Sequence, residues 1–311
     1  MSDVLGTRVG VMQAPIGGAA GQELYRAVAG AGGLAAIPAS WMQPDDLRRE
    51  IADLRRATGE PFAVNLVLHF EQAASVAICA AERVPIVTFS WGVPTAFVPQ
   101  LRAAGCRVFV QVATVAAGRA AAAAGADALI AQGVEAGGHV ESTTALAVLV
   151  AGLCGATDLP VIAAGGIADA ATARAARLNG AAAVAVGTRL VASHESTALA
   201  AWKVALVAAS ADDTVLTGLF DIGWPDAPHR VLRNSTYRAW EAAGSPPPGA
   251  RPGEGDILGT YLGDPLPRYS VESPSPGVEA VDFEPLCQYA GEGVGLIDEI
   301  LPAAKIVALL A

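Results

Sequence analysis

The sequence predicts an α/β fold: a closed TIM-type (β/α)8 barrel followed by a smaller, mostly helical or irregular C-terminal lid region. Three observations carry this. Eight short apolar runs recur over the first 188 residues, each followed by a turn and then a helix-like stretch. The runs lack clean alternation, as expected of strands buried on both faces. After Thr188 the pattern gives way to segments crowded with proline and glycine. Strand alternating with helix implies a parallel sheet. Eight such units in about 200 residues suit a closed barrel, with an open doubly wound sheet as the alternative.

The expected strands are "RVGVMQ" (8–13), "GLAAI" (33–37), "FAVNLV" (62–67), "IVTFSWG" (86–92), "RVFVQVA" (107–113), "ALIAQG" (128–133), "PVIAAGG" (160–166) and "AAVAVGT" (182–188). Between them, "QPDDLRREIADLRRAT" (43–58) places Leu47, Ile51 and Leu54 on one stripe, with Asp45 and Asp46 in the first turn. "DAATARAARLNGA" (169–181) opens on a capping Asp169 and ends at Gly180. Residues 194–208 can form the last barrel helix, with His194 and Glu195 in its cap. The barrel is therefore expected over 1–209. An irregular or helical lid follows over 210–295, and a final helix packs back on the barrel over 296–311.

Composition narrows the class. The 311 residues are 53% hydrophobic and only 16% charged, with a net charge of −10. No basic stripe is present, which argues against nucleic acid as a partner. Cys79, Cys106, Cys154 and Cys287 show no metal-ligand spacing. Cys79 and Cys154 lie in apolar surroundings and read as reduced core thiols. The opening "MSDVLGTRVGVMQAP" has neither a basic n-region nor a long apolar segment. A cytoplasmic protein without a membrane anchor is expected. The Pro-rich tail, 243–277, offers surface for a homodimer.

In such a barrel, function collects where the strands end. Strand seven ends "AAGGI" and strand eight "VGT". Glycines there let the backbone approach a ligand, and amides beside a helix start can bind phosphate without a lysine. The plain alternative is that they only make tight turns. Strand six ends "QGVEAGGH" (132–139). Gly137 and Gly138 permit an unusual path, and His139 follows it at the rim. That makes His139 a candidate for proton transfer near neutral pH, against the reading of a structural or simply exposed histidine. Gln132 offers an amide to a polar ring edge. Glu135 either orients the loop or is solvated. His69 and His229 have no partner at metal-ligand spacing, so no metal is expected.

"QGVEAGGH", "PVIAAGGIADA" and "AAVAVGTRL" together resemble the nitronate monooxygenase family, also called 2-nitropropane dioxygenase-like proteins. "MQAPIGG", "PFAVNL" and the ending "YAGEGVGLIDEILPAAKIVALL" extend the resemblance over nearly the whole chain. It implies noncovalent FMN held by Asn65, Gln132, Gly137, Gly166 and the run Ala185, Val186, Gly187 and Thr188. By the same resemblance His139 is the active-site histidine, with the loop glycines lying against the flavin. The implied reaction is oxidation of an alkyl nitronate, with O2 as acceptor and a carbonyl compound and nitrite as products. Departures are "YAGEG", where many members read "YAGQS", a shorter loop after the histidine, and Trp91 in "SWGVP". The same barrel group also includes NAD(P)H-dependent enoyl-acyl-carrier-protein reductases and NADH:quinone reductases. A flavin-binding protein without turnover is the reading from another class.

Overall fold

A computed structural model describes residues 4–311. The first three residues of the expected barrel span, and of the opening segment read for a leader, lie outside the described residues. All eight expected runs form strands: Val11–Gln13, Ala35–Pro38, Phe62–Val67, Ile86–Ser90, Arg107–Val112, Ala128–Gln132, Val161–Ala164 and Ala183–Val186. They pair in parallel in chain order, and the eighth returns to the first with Val11 opposite Val184. A bridge between Met12 and Leu34 joins the first strand to the second. Gln13 N–H donates to the Leu34 carbonyl and Leu34 N–H to that of Val11, both at 2.9 Å. The sheet is thus a closed barrel without free edges.

Alternation along each strand separates two cores. Met12, Ala36, Ala63, Ile86, Phe109, Ile130, Ile162 and Ala185 fill the barrel interior. Val64, Leu66, Val87, Val110, Leu129, Val184 and their neighbours pack outward under the helices. The same parity turns Asn65, Thr88 and Gln132 inward near the upper ends of their strands.

The helices follow their sequence logic. Pro44–Ala57 buries Leu47, Ile51 and Leu54 and keeps acids first and arginines last. Asp169 and Thr172 form a reciprocal capping box at the start of Ala170–Leu178. The last barrel helix is shorter than expected, Ala200–Ala208, after a four-residue turn of helix, Thr188–Val191. Residues 194–199 stay outside it because the Lys203 ammonium gathers the carbonyls of Ser193, His194 and Ser196. Glu195 therefore caps a different element: its carboxylate accepts from Ala303 N–H at 2.7 Å, the first amide of the helix Ala303–Leu310. That helix packs against Gln22–Gly30 and Ala170–Leu178.

Two expectations need correction. Cys154 is exposed rather than core. It ends the helix Leu146–Cys154, whose buried face is Leu149, Val150 and Leu153, and the next position turns outward. Residues 210–295 are also richer in strand than expected. They contribute Thr214–Thr217, His229–Leu232, Ile257–Tyr261, Asp264–Pro267 and Val278–Ala280, with one α-helix, Ser235–Ala242. These strands are three to five residues long. Proline sits inside one of them, on an edge where its missing N–H does no harm. Among the described residues, no helix is long and apolar enough to cross a membrane, and no acid, histidine and cysteine cluster could hold a metal.

Candidate functional site

The loop after the sixth barrel strand is held from every side. Gln132 folds its amide onto its own loop, donating to the His139 carbonyl at 2.9 Å and accepting from Glu141 N–H at 3.2 Å. Gln132 thus shapes the loop with one of its two amide N–H donors and one oxygen lone pair. The Glu135 carboxylate accepts from Leu146 N–H at 3.0 Å, capping the next helix. This settles its role as orienting rather than solvated. Gly138–His139 is itself a short strand, antiparallel to His229–Leu232, with His139 opposite His229. Arg230, buried in the lid, donates through Nε and Nη2 to the Val134 carbonyl and pairs with Glu292 at 3.0 Å.

The two loop glycines answer different needs. Gly138 has φ +79°, a conformation that favours glycine. At Gly137 a Cβ would lie 2.4 Å from Gly291 N and 2.7 Å from the Ala290 carbonyl carbon. Gly137 is therefore bare because the tail segment "YAGEG" crosses it. The resemblance had the glycine lying against a flavin. Thr188 joins this seam, its hydroxyl accepting from Gly291 N–H at 3.0 Å.

At the ends of strands seven and eight, Gly165 and Gly166 have φ +124° and +67°. A Cβ on Gly166 would meet Glu135 at 3.2 Å. Gly187 follows Ala185 and Val186 and precedes the turn Thr188–Val191. Among the described residues, the amides of Gly166, Ile167, Gly187 and Thr188 have no hydrogen-bond acceptor. Unpartnered amides on two adjacent strand ends fit a phosphate. Across the mouth, buried Asn65 donates to the Thr88 hydroxyl at 3.1 Å.

His139 lies in an aromatic cluster drawn from four strand ends and the lid. Its ring stacks on Trp224, centroids 4.1 Å apart and planes 28° apart. Trp224 also meets Trp91 at 5.0 Å, Phe70 at 5.1 Å, His69 at 5.5 Å and Trp41 at 6.1 Å. Trp91 holds a left-handed φ of +61°, uncommon for so large a residue. Its N–H donates to the Glu141 carboxylate at 3.2 Å.

Burial in this cluster, with His229 nearby, pushes the His139 pKa down to about 3. The imidazole is neutral at neutral pH, and Nε2 is buried without a partner. Burial thus disfavours the charged form of His139 and suits the neutral ring to hydrogen bonding. His229 is fully buried and locked: Nε2 accepts from Phe220 N–H at 3.2 Å, leaving Nδ1 to donate to the Ala227 carbonyl at 2.9 Å. It supports the strand under His139.

The structure therefore brings Gly137, Gly166, Gly187 and Thr188 to one seam, and Gln132 and His139 to one loop. Asn65 stands on the other wall. Sequence reasoning missed Trp224, the hub of the cluster; its only signal is a tryptophan between glycine and proline in "IGWPDAPH". Further buried polar atoms without partners include the Gln13 and Gln72 carbonyl oxygens and Trp224 Nε1, as well as atoms of Gln22, Trp202, Arg268 and Ser273. Apolar walls, orphaned polar atoms and a glycine cradle match the donor set a flavin phosphate and ring require.

Comparison with known proteins agrees with this geometry. A family model described as nitronate monooxygenase matches residues 1–311. The nitronate monooxygenase of Pseudomonas aeruginosa is 31% identical, covering 99% of this chain and 96% of that protein. A (3aS,4S,5R,7aS)-5-hydroxy-7a-methyl-1-oxo-octahydro-1H-indene-4-carboxyl-CoA dehydrogenase of Mycobacterium tuberculosis is 35% identical, covering 78% of this chain and 68% of that protein. Among solved structures, FabK from Thermotoga maritima superposes with a TM-score of 0.85 at 37% identity, covering 99% of this chain and 93% of that one.

Proposed function

We propose, from the premise that this chain belongs to the nitronate monooxygenase family, that it binds FMN at the barrel mouth and oxidises alkyl nitronates. O2 would be the final acceptor, and a carbonyl compound and nitrite the products. The family is flavin-dependent. The phosphate would rest on the amides of Gly166, Ile167, Gly187 and Thr188. Ala185 would line the approach, with Val186 contributing main chain only and Asn65 on the far wall. Gly137 and Gln132 would shape the loop that faces the ring. FMN, when bound, supplies the two-electron redox chemistry.

The observation that carries the substrate reading is a pair of buried, unpartnered nitrogens, His139 Nε2 and Trp224 Nε1, on rings stacked 4.1 Å apart. A nitronate presents two acceptor oxygens on one nitrogen. An indole N–H and a neutral imidazole N–H are donors suited to them. An imidazole with a pKa near 3 is a poor base at neutral pH. That favours substrates arriving already ionised over neutral nitroalkanes. The aromatic cluster keeps bulk water from the reacting carbon.

A second reading is supported by the 37% identity to FabK and the 35% identity to a carboxyl-CoA dehydrogenase. It is an NAD(P)H-dependent reductase of an enoyl thioester or a quinone on the same flavin. Anaerobic titration of the flavin absorbance separates the two. Bleaching by an alkyl nitronate alone supports nitronate oxidation. Bleaching by NADH or NADPH alone overturns it in favour of the reductase.

A further inference from the structure

The loops that join the eight barrel strands to their helices span residues 14–21, 39–43, 68–72, 91–97, 113–114, 133–145, 165–169 and 187–199. Their one cation, Arg189, is buried and donates to the Glu299 carbonyl. They hold five acids, Glu71, Glu135, Glu141, Asp169 and Glu195. Four of these serve helix starts: Glu71 accepts from Ala73 N–H, Glu135 from Leu146 N–H, Asp169 from Thr172 N–H and Glu195 from Ala303 N–H. Glu141 caps no helix. It is exposed; its main-chain N–H donates to the Gln132 amide oxygen, and its carboxylate accepts from the strained Trp91 amide. Two lid arginines are already neutralised, Arg230 by Glu292 and Arg251 by Asp221 and Glu254.

This rim treats two kinds of substrate differently. A nitronate carries its single charge past the rim to the interior donors. A thioester of coenzyme A or phosphopantetheine, or a nicotinamide dinucleotide bearing a 2′-phosphate, leaves its phosphates at the rim. There they face carboxylates and find no free cation, and like charges placed together at a binding surface oppose association. We propose that the barrel rim selects against phosphorylated carriers, with Glu141 as the residue that sets this preference. The substrates of this chain are then small molecules that reach the flavin without a phosphate handle. This rests on the reading of the mouth as a flavin site.

The test uses the flavin-loaded protein at low ionic strength. Its visible spectrum is titrated with crotonyl-CoA and with the same acyl group on N-acetylcysteamine. The truncated thioester is expected to bind at least as tightly, and the CoA ester to bind more tightly as salt is added, because salt screens repulsion. Glu141→Gln keeps an acceptor for Trp91 and removes the charge; Glu141→Lys reverses it. Glu141→Lys should raise CoA-ester affinity about tenfold while the truncated thioester changes less than about twofold. A CoA ester that is the tighter ligand at low salt and weakens with salt overturns the proposal.

If neither thioester perturbs the flavin, tryptophan quenching reads the same field through Trp41 and Trp91. Caesium quenching more strongly than iodide, with the preference reversed in Glu141→Lys, supports the proposal. Iodide quenching as strongly as caesium overturns it. Neither readout depends on turnover of a nitronate, so the two readings fail separately.

Discussion

At its lower end the barrel presents an open groove of about 710 Å³ lined by Arg8, Arg107 and Arg177 with Asp127. At its upper end the strand-end loops carry no cation except the buried Arg189, which is held by the Glu299 carbonyl, and the walls are tryptophan, phenylalanine and histidine. The lower arginines donate to main-chain carbonyls: Arg107 to Val4 and Leu5, Arg8 to Gly30, and Arg177 to Gly10 and Leu310. They tie together chain segments that enter the strands. The upper end offers glycine amides and orphaned ring nitrogens instead. In this chain permanent cations stabilise, while neutral donors at the strand ends are left free for a ligand. This is the usual division of labour between the two faces of a (β/α)8 barrel, carried out here by charge type.

The largest effect should come from the upper end. Gly187→Glu places a carboxylate beside the free amides of Gly187 and Thr188, where a phosphate would have to compete with it. The purified variant is expected to be colourless; one that stays yellow moves the phosphate site elsewhere. Next is His139→Asn, expected to keep its flavin and lose about 10²-fold in kcat/KM for nitronates, the scale of removing one preorganised donor. Flavin loss in that variant would make His139 structural and erase the contrast.

At the lower end, Arg107→Met should cost about 2–3 kcal/mol, read from the urea midpoint, because two carbonyls lose a charged donor. Flavin content and kcat should be unchanged. A colour change would mean that the two ends are coupled.

The last effect is a pH dependence. His139 has its pKa lowered by burial to about 3 from an ordinary 6.5. Between those values the unfolded chain binds the extra proton, so stability is present above pH 6.5 and falls as the pH drops toward 3. His139→Asn should flatten that slope in a series of Tm measurements. In the wild type, kcat/KM for nitronates should show no histidine titration between about pH 5 and 8. A titration there would restore His139 as a base.

Much of this was legible in the sequence, for a local reason. Buried parallel strands read as short apolar runs, and all eight appear where the runs are. The glycine pair at 165–166 announces its own backbone conformation, as does Asp169 its capping box. The lid was harder. Its strands are short and interrupted by proline, and their partners lie far along the chain, as His229 does from His139.

By itself the sequence determined the barrel, its strand ends and the glycines that hold the upper loops, because these depend on residue type and neighbours in the chain. Only the tertiary structure decided that Trp224 covers His139, that the tail crosses Gly137, and that burial disfavours the charged form of the histidine. Each of those depends on what a distant segment places against the residue, and desolvation and steric contact leave no mark on the residue's own sequence neighbourhood.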